Sequence, residues 1–424
     1  MNCRHCHHEL THTFVDLGSC PPSNAYLDEK SLYGPETWYP LKVLLCDKCW
    51  LVQTQDIVHA DAMFSADYAY LSSYSSTMLR HAEDYVSHVT SRFGLGPTSR
   101  VIEVASNDGY LLQYVQQKGI PCLGIEPTHV AANIARGKGI EVIEEFFGVA
   151  LAQKLSAGGV HADLMTGNNV LAHVPDINDF VKGFAILLKP NGVVTFEFPH
   201  LMNLIRNKLF DMIYHEHFSY LSLHAVQSVF RSNGLDVFDV EEVSTHGGSL
   251  RVYGQRSDVM HHPVTNNVAS FLSREKDAGM LDTAVYLGFH KELQKIKDDL
   301  LIFLIEQKRA GKQVVAYGAA AKGNTLLNFA GVRKDYLEYV VDRNPEKAGK
   351  YMPGNHIPIV DEERIRSGRP DYVIILPWNL KSEIMQQLDY IRDWGGKFLV
   401  AIPQLESLSY RELGQRSEQD AAIF

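Results

Sequence analysis

Between Ser99 and about Tyr253, short apolar runs alternate with stretches of helical spacing. Arg100–Ala105, Pro121–Ile125, Ala162–Met165 and Gly192–Phe198 read as strands, and Tyr110–Lys118 and Val130–Lys138 as helices. This alternation predicts a mostly parallel sheet with helices on both faces. Leu250–Tyr253 reads as a late antiparallel strand, and Ser72–Phe93 as a helix leading into the sheet. The pattern then repeats. Gln313–Tyr317, Tyr339–Asp342, Tyr372–Leu376 and Phe398–Ala401 read as strands, with Thr325–Phe329 in a helix, so a second Rossmann-like unit is expected. Between the two units, roughly Asp282–Arg309 is helical, with an apolar face of Leu287, Leu293, Ile296, Leu300, Leu301, Leu304 and Ile305. It is expected to link domains. Ahead of both lies a segment punctuated by Pro21, Pro22, Gly34 and Pro35, with one strand at Leu41–Leu45.

A chain of 424 residues exceeds one ordinary core, so two or three domains are expected. The formal net charge of -10 argues against a general nucleic-acid binder. No apolar run is long enough to span a bilayer, and no apolar signal region opens the chain. A cytoplasmic protein without membrane contact is expected, with a monomer as its state.

Four cysteines change the picture of the N-terminal segment. Cys3 and Cys6, then Cys46 and Cys49, form two C-x-x-C knuckles. Each can present two thiolates to one small ion, and zinc suits four sulfur ligands in a tetrahedron. The alternatives are four buried free thiols or disulfides. Such a zinc is structural, because four cysteines leave no open coordination position. Cys20 and Cys122 need be nothing more than small apolar residues.

Glu103-Val-Ala-Ser-Asn-Asp-Gly109 sits where the first strand turns into the first helix, the place where ligands bind in such sheets. The second strand ends in Glu126, where an acid commonly accepts hydrogen bonds from both ribose hydroxyls. NAD and S-adenosylmethionine both use this arrangement. The turn Ala105-Ser106-Asn107-Asp108-Gly109 lacks the G-x-G-x-x-G of pyrophosphate sites, and Asp108 would repel a pyrophosphate. A cationic sulfonium tolerates the acid, so S-adenosylmethionine is favoured; a plain helix cap by Asn107 or Asp108 is the blander reading. Further on, Thr166-Gly-Asn168-Asn169-Val-Leu-Ala-His173-Val-Pro-Asp176 resembles the fourth motif of class I methyltransferases, next to the methyl donor. His173 either faces the reaction chamber or is a satisfied structural residue. Phe146 and Phe147 either flank an adenine or pack in the core.

Tyr317-Gly318-Ala-Ala320-Ala-Lys322-Gly-Asn324 follows a strand and opens a helix. Small residues there allow close backbone approach, a helix N-terminus attracts phosphate, and Lys322 adds positive charge. The stretch is neither a dinucleotide fingerprint nor a P-loop. It is either a diphosphate site or a packing relic. His200, Ser249 and Arg251 are further candidates for sugar or phosphate contact.

Ile213-Tyr214-His215-Glu216-His217-Phe-Ser-Tyr220 offers three acid/base types in four residues. The histidines are two apart, so the metalloprotease spacing is absent. In an extended segment Tyr214 and Glu216 would share one face and His215 and His217 the other. A polar surface strand is the alternative. Together with the cysteine knuckles, Ala105–Gly109 and His246-Gly-Gly-Ser-Leu-Arg251, this stretch resembles the nucleotide-sugar C-3'-methyltransferases over the whole chain. The resemblance implies an α/β protein of three parts. These are a zinc-binding module (1–72), a central class I methyltransferase Rossmann-like domain (73–255), and a C-terminal second Rossmann-like α/β domain that binds nucleotide sugar (256–424). It implies C-methylation of C-3' of a nucleotide-linked 4-keto-6-deoxy sugar, on thymidine or guanosine diphosphate, in branched deoxysugar biosynthesis. His217 would be the base, Tyr214 a donor to the enolate oxygen, and Glu216 an orienting or sugar-binding acid. His173 and Tyr68 would be pocket walls. The competing readings are an RNA methyltransferase with a zinc grip, an NAD-dependent oxidoreductase, and a zinc scaffold without catalysis.

Overall fold

The computed structural model describes residues 1–55 and 71–408. The chain forms two compact units that do not follow chain order. Unit 1 holds Met1–His12, Leu44–Met202 and His217–Thr283; unit 2 holds Thr13–Val43, Asn203–Glu216 and Ala284 onward.

The main sheet of unit 1 has seven strands among the described residues: β1 Val101–Val104, β2 Cys122–Ile125, β3 Val142–Ile143, β4 Ala162–Asn168, β5 Leu188–Pro199, β6 Leu235–Val243 and β7 Ser249–Arg256. Their order is β6-β7-β5-β4-β1-β2-β3. β1 to β5 are parallel, and β7 is antiparallel to both β5 and β6. The order reverses at β1, which pairs with β2 on one side and β4 on the other, opening a crevice at the carboxyl ends of the strands.

The apolar runs follow from burial on both faces. Ile102 and Val104 pack into one core with Met165, Val194 and Phe196, and with helices Ile177–Leu187 and Leu223–Ser232. Val101, Leu164 and Val193 face the other core with helices Ser76–Phe93 and His129–Gly137. Helix Ser76–Phe93 buries Ala82, Tyr85, Val86 and Val89, an i, i+3, i+4, i+7 stripe. Ser75 caps its start by accepting from the Met78 amide, and Gly94 ends it in the left-handed conformation.

Unit 2 carries a second sheet of β8 Val314–Tyr317, β9 Val340–Val341, β10 Ile359–Val360, β11 Tyr372–Ile375, β12 Lys397–Val400 and β13 Glu406–Leu408. The order is β10-β9-β8-β11-β12-β13, with only β13 antiparallel. β8 lies at its reversal point, so the turn after β8 opens at the crevice. The long helix Thr283–Arg309 belongs to this unit from Ala284 on. It buries Tyr286, Phe289, Leu293, Ile296, Leu300 and Leu304, and Phe14 stacks on Phe289 with ring centroids 4.7 Å apart. Leu287, expected on the apolar face, is half exposed, because the buried stripe runs through its neighbour Tyr286. Several elements carry no expectation above: strand His12–Cys20, helices Ile177–Leu187, Leu223–Ser232 and Asn266–Asp277, and strand β6.

Candidate active site

The cysteine knuckles close on one another in unit 1. The Sγ atoms of Cys3 and Cys49 are 3.5 Å apart, as are those of Cys6 and Cys46, and all four lie within 4.8 Å. A tetrahedron with Zn–S bonds of about 2.3 Å has S–S edges of about 3.8 Å, so the donor set fits one zinc. Both knuckles make the same turn. The amides of His7 and Trp50 donate to the carbonyls of Cys3 and Cys46, and both residues have positive φ. Arg4, inside the first knuckle, reaches further. It donates to the carbonyls of Pro175 (2.9 Å) and Thr54 (3.0 Å), and its guanidinium lies 5.4 Å from the centre of the Phe218 ring. The Phe218 amide donates to the Ala172 carbonyl and its carbonyl accepts from the Thr54 amide. The zinc module thus holds both segments that carry the candidate histidines. His173 and His217 meet edge to face, ring centroids 4.6 Å apart, with Tyr220 beyond at 6.0 Å. His217 is buried, and His173 follows β4 at the carboxyl edge of the sheet.

The turn after β1 runs through the left-handed region at three positions. Ala105, Asn107 and Gly109 all have positive φ. A Cβ on Gly109 would lie 2.5 Å from Ile140 Cδ1, so no side chain fits there. Glu126 secures the turn. One carboxylate oxygen accepts from the Asn107 amide (2.9 Å), the other from the amide and hydroxyl of Thr128 (2.9 and 2.5 Å). Much of its accepting capacity therefore serves the protein. Ser106 is buried against Gly124, beneath the turn. The Asn107 side chain accepts from the Ser72 amide, and Lys138 donates to the Asp108 carbonyl and Ser73 hydroxyl. Both carboxyl oxygens of Glu103 are buried without partners among the described residues. Burial, with Glu126 and Asp108 nearby, pushes this acid well above the carboxylate range. Burial also raises Glu126. Asp108 and Glu126, with one lysine at this corner, suit a cationic ligand and oppose a pyrophosphate. Asn168 and Asn169 end β4. The Asn169 amide donates to the Glu197 carbonyl at 2.7 Å, and its side-chain oxygen is buried without a partner among the described residues. Phe147 is core, packed on Phe180 and Phe184, while Phe146 is exposed.

In unit 2 the chain turns at His215 and Glu216 instead of running extended, so the alternating faces expected of Tyr214 to His217 do not form. The reason is local anchoring. His215 Nε2 donates to the Tyr39 carbonyl (3.2 Å), and burial lowers its pKa. Glu216 accepts from Asn24 at 2.7 Å. The Tyr26 hydroxyl donates to the Ala319 carbonyl, and Lys347 donates to that carbonyl as well, each at 2.7 Å. Thr325 Oγ1 donates to the Ile213 carbonyl at 2.9 Å. Glu216 and the loop Tyr317–Asn324 are thus drawn together through Asn24 and Tyr26, two residues with no sequence motif. Gly318 has positive φ, and a Cβ there would strike the Pro377 ring. Lys322 lies 4.8 Å from the Trp378 ring and donates to Asn379, while Trp378 Nε1 donates to buried Asp211 at 2.7 Å. Burial raises Asp211 to about 6 and lowers Lys322, whose charge Asp211 partly restores. Asn324 is fully buried. Among the loop residues offered for phosphate, Tyr317 is instead engaged by Gln387, which donates to its hydroxyl at 2.6 Å, and Ala320 is the N-cap of helix Ala321–Ala330.

Three candidates are occupied within the protein. His200 is buried and donates to Glu275 at 2.7 Å. Arg251 donates to Glu197 (2.9 Å) and Glu241 (2.7 Å) and sits over the Tyr85 ring. Ser249 is buried and donates to the Thr245 carbonyl. His200 and Arg251 looked available because their buried partners, Glu275 and Glu197, are remote in sequence; Ser249 is held by a carbonyl only four residues back. Tyr68 lies outside the described residues.

Family models match nearly the whole chain. One described as "Putative zinc binding domain" covers residues 3–64, a "Methyltransferase domain" covers 78–240, and a "C-methyltransferase C-terminal domain" covers 244–403. The C-methyltransferase NovU of Streptomyces niveus is 32% identical over 407 residues, 96% of each chain. The chain belongs to this C-methyltransferase family. It is an S-adenosylmethionine-dependent methyltransferase with a four-cysteine zinc site. A ubiquinone biosynthesis O-methyltransferase of Bordetella avium is 33% identical over 99 residues, 23% of this chain and 41% of that protein. A solved S-adenosylmethionine-dependent methyltransferase of Thermotoga maritima aligns over 46% of this chain and 99% of its own, with a TM-score of 0.35 and 18% identity. No helix among the described residues is long and apolar enough to cross a membrane.

Proposed function

We propose that this C-methyltransferase methylates C-3' of a nucleotide-linked 4-keto-6-deoxy sugar through an enolate. The observation that carries the reading is buried His217 with its ring edge to face against that of half-buried His173, at the carboxyl edge of the methyltransferase sheet. Methylation at carbon needs a carbanion equivalent, and a C–H next to a ketone yields one to a base. S-adenosylmethionine, when bound, supplies an electrophilic methyl group. His217 takes the C-3' proton; a neutral imidazole is suited to that work near neutral pH. The electron pair left behind is delocalised onto the 4-keto oxygen. Tyr214 donates a hydrogen bond to that oxygen, and Glu216, fixed by Asn24, orients or holds the sugar. His173 packs against His217 and limits its rotation. Unit 2 binds the diphosphate at Gly318–Asn324 with Lys322, on the support of the tight Gly318 turn and the helix start that follows. The residue bounds 1–72, 73–255 and 256–424 are proposed as the chain-order division of labour.

The test is a screen of thymidine- and guanosine-diphospho-4-keto-6-deoxy sugars with methyl donor, read by mass spectrometry. His217→Asn is expected to bind S-adenosylhomocysteine normally and to lose about a hundred- to ten-thousandfold in turnover. It should also lose solvent-deuterium exchange at C-3'. Exchange at the wild-type rate in that variant removes His217 as the base.

A further inference from the structure

His81 has no part in any motif, yet the structure places it at the reaction edge. It lies in the second turn of helix Ser76–Phe93. The lead-in to that helix docks on the methyl-donor turn, since the Ser72 amide donates to Asn107. Its Nε2 lies 2.8 and 2.9 Å from the two carboxylate oxygens of Glu197. Glu197 is fully buried on β5, opposite Asn168 of β4, and its own carbonyl holds the Asn169 amide. Thr245 Oγ1 and Arg251 donate to the same carboxylate at 2.9 Å each, and Arg251 also comes within 3.3 Å of His81 Nε2. Burial alone would raise Glu197, but His81 and Arg251 hold it ionised, at about 2. An ionised carboxylate can only accept, so Nε2 of His81 carries a proton. Nδ1 has no partner among the described residues, and the side chain is 20% exposed.

This is the arrangement of an imidazole oriented by a buried acid with its second nitrogen presented outward. We propose that His81 is a further catalytic residue, whose Nδ1–H donates a hydrogen bond to the acceptor's carbonyl oxygen as that oxygen gains charge. The inference rests on the keto-sugar reading above. The step balances without another reactant. His217 accepts the proton, the C–H electron pair becomes the ring C=C bond, and the carbonyl π pair moves onto oxygen. His81 holds that oxygen in the imidazolium form, with Nε2–H on Glu197 and Nδ1–H on the oxygen. It keeps its proton when the carbonyl reforms. Glu197 offsets the imidazolium charge, and Arg251 and Thr245 keep Glu197 in place.

The decisive variant is His81→Gln in the full-length zinc-loaded protein. A glutamine amide nitrogen reaches the position of Nε2, so the bond to Glu197 survives while Nδ1 is lost. Turnover on the keto sugar that the wild type accepts is expected to fall about a hundredfold, the usual effect of removing one oxyanion donor. Melting temperature and calorimetric affinity for S-adenosylhomocysteine should stay at wild-type values. Deuterium exchange at C-3' with S-adenosylhomocysteine bound should fall in parallel. Turnover within threefold of wild type overturns the proposal, as does a loss that tracks weakened cofactor binding or stability. His81→Phe, which removes both nitrogens, is the second variant. If it melts early while His81→Gln is stable and active, the residue is structural only. If the wild type exchanges and methylates no keto sugar, the acceptor reading falls and this inference with it, an outcome separate from an active wild type with an active His81→Gln.

Discussion

Glu275 offers a sharp test of how unit 1 is held together. Its side chain is fully buried, and four donors converge on it: His200 Nε2 (2.7 Å), His224 Nδ1 (2.6 Å) and the amides of Leu223 (2.6 Å) and His224 (3.0 Å). The two amides open helix Leu223–Ser232, so the acid also meets the positive end of that helix. Burial alone would raise its pKa; the histidines and amides overcome this and bring it to about 2, against an ordinary 4.5. A carboxyl lowered on folding stabilises the fold above its unfolded value and loses that contribution as pH falls through the folded one. The difference converts to about 3 kcal/mol at neutral pH, in keeping with charge-assisted hydrogen bonds of roughly 1.5–3 kcal/mol each, less the desolvation of the acid. Glu275→Gln keeps the shape and one acceptor but loses the charge. Amide exchange by mass spectrometry over residues 223–232 should then be faster by on the order of a hundredfold at pH 7. The ratio of variant to wild type should shrink as pH drops from about 4.5 towards 2. A ratio within threefold of one at pH 7, or one that does not change across that window, would refute the reasoning.

Cys46→Ser should lower bound zinc from about one per chain towards none by metal analysis and destabilise unit 1, because binding free energy here is folding free energy; full zinc with normal stability would exclude the four-cysteine site. Arg4→Met should keep zinc and S-adenosylhomocysteine affinity but lower kcat roughly tenfold, since a misplaced base loses rate before binding; unchanged kcat would show that Arg4 does not position the His217 segment. Glu126→Ala should weaken S-adenosylhomocysteine about tenfold or more in calorimetry, through the Asn107 amide it releases as well as any ribose contact, and leave no tight NAD binding; unchanged affinity would remove Glu126 from the site.

Sequence alone established what depends on neighbours along the chain. The double C-x-x-C spacing carries zinc, because two residues between cysteines are enough to turn both thiolates toward one ion. The β1 turn after Arg100–Ala105 carries the cofactor class, because strand, turn and helix are contiguous. The buried strands were legible because burial on both faces leaves unbroken apolar runs. Helices such as Ile177–Leu187 were not, because their mixed apolar content resembles strand and helix alike at that length.

Only the tertiary structure decided which polar residues are at liberty to act. His200, Ser249 and Arg251 look like ligand contacts in one dimension, but partners 75, 4 and 54 residues away hold them inside the protein. His81 has no local motif, and Glu197, 116 residues on, is what orients it. Glu126 was expected to face the ribose, yet most of its bonds hold the turn that a ligand would meet. A side chain's chemistry is written in its type, but its availability depends on who satisfies it. Most buried polar groups are satisfied, and the partners of His200, Arg251 and His81 are chosen by packing across the chain, at separations no sequence period records.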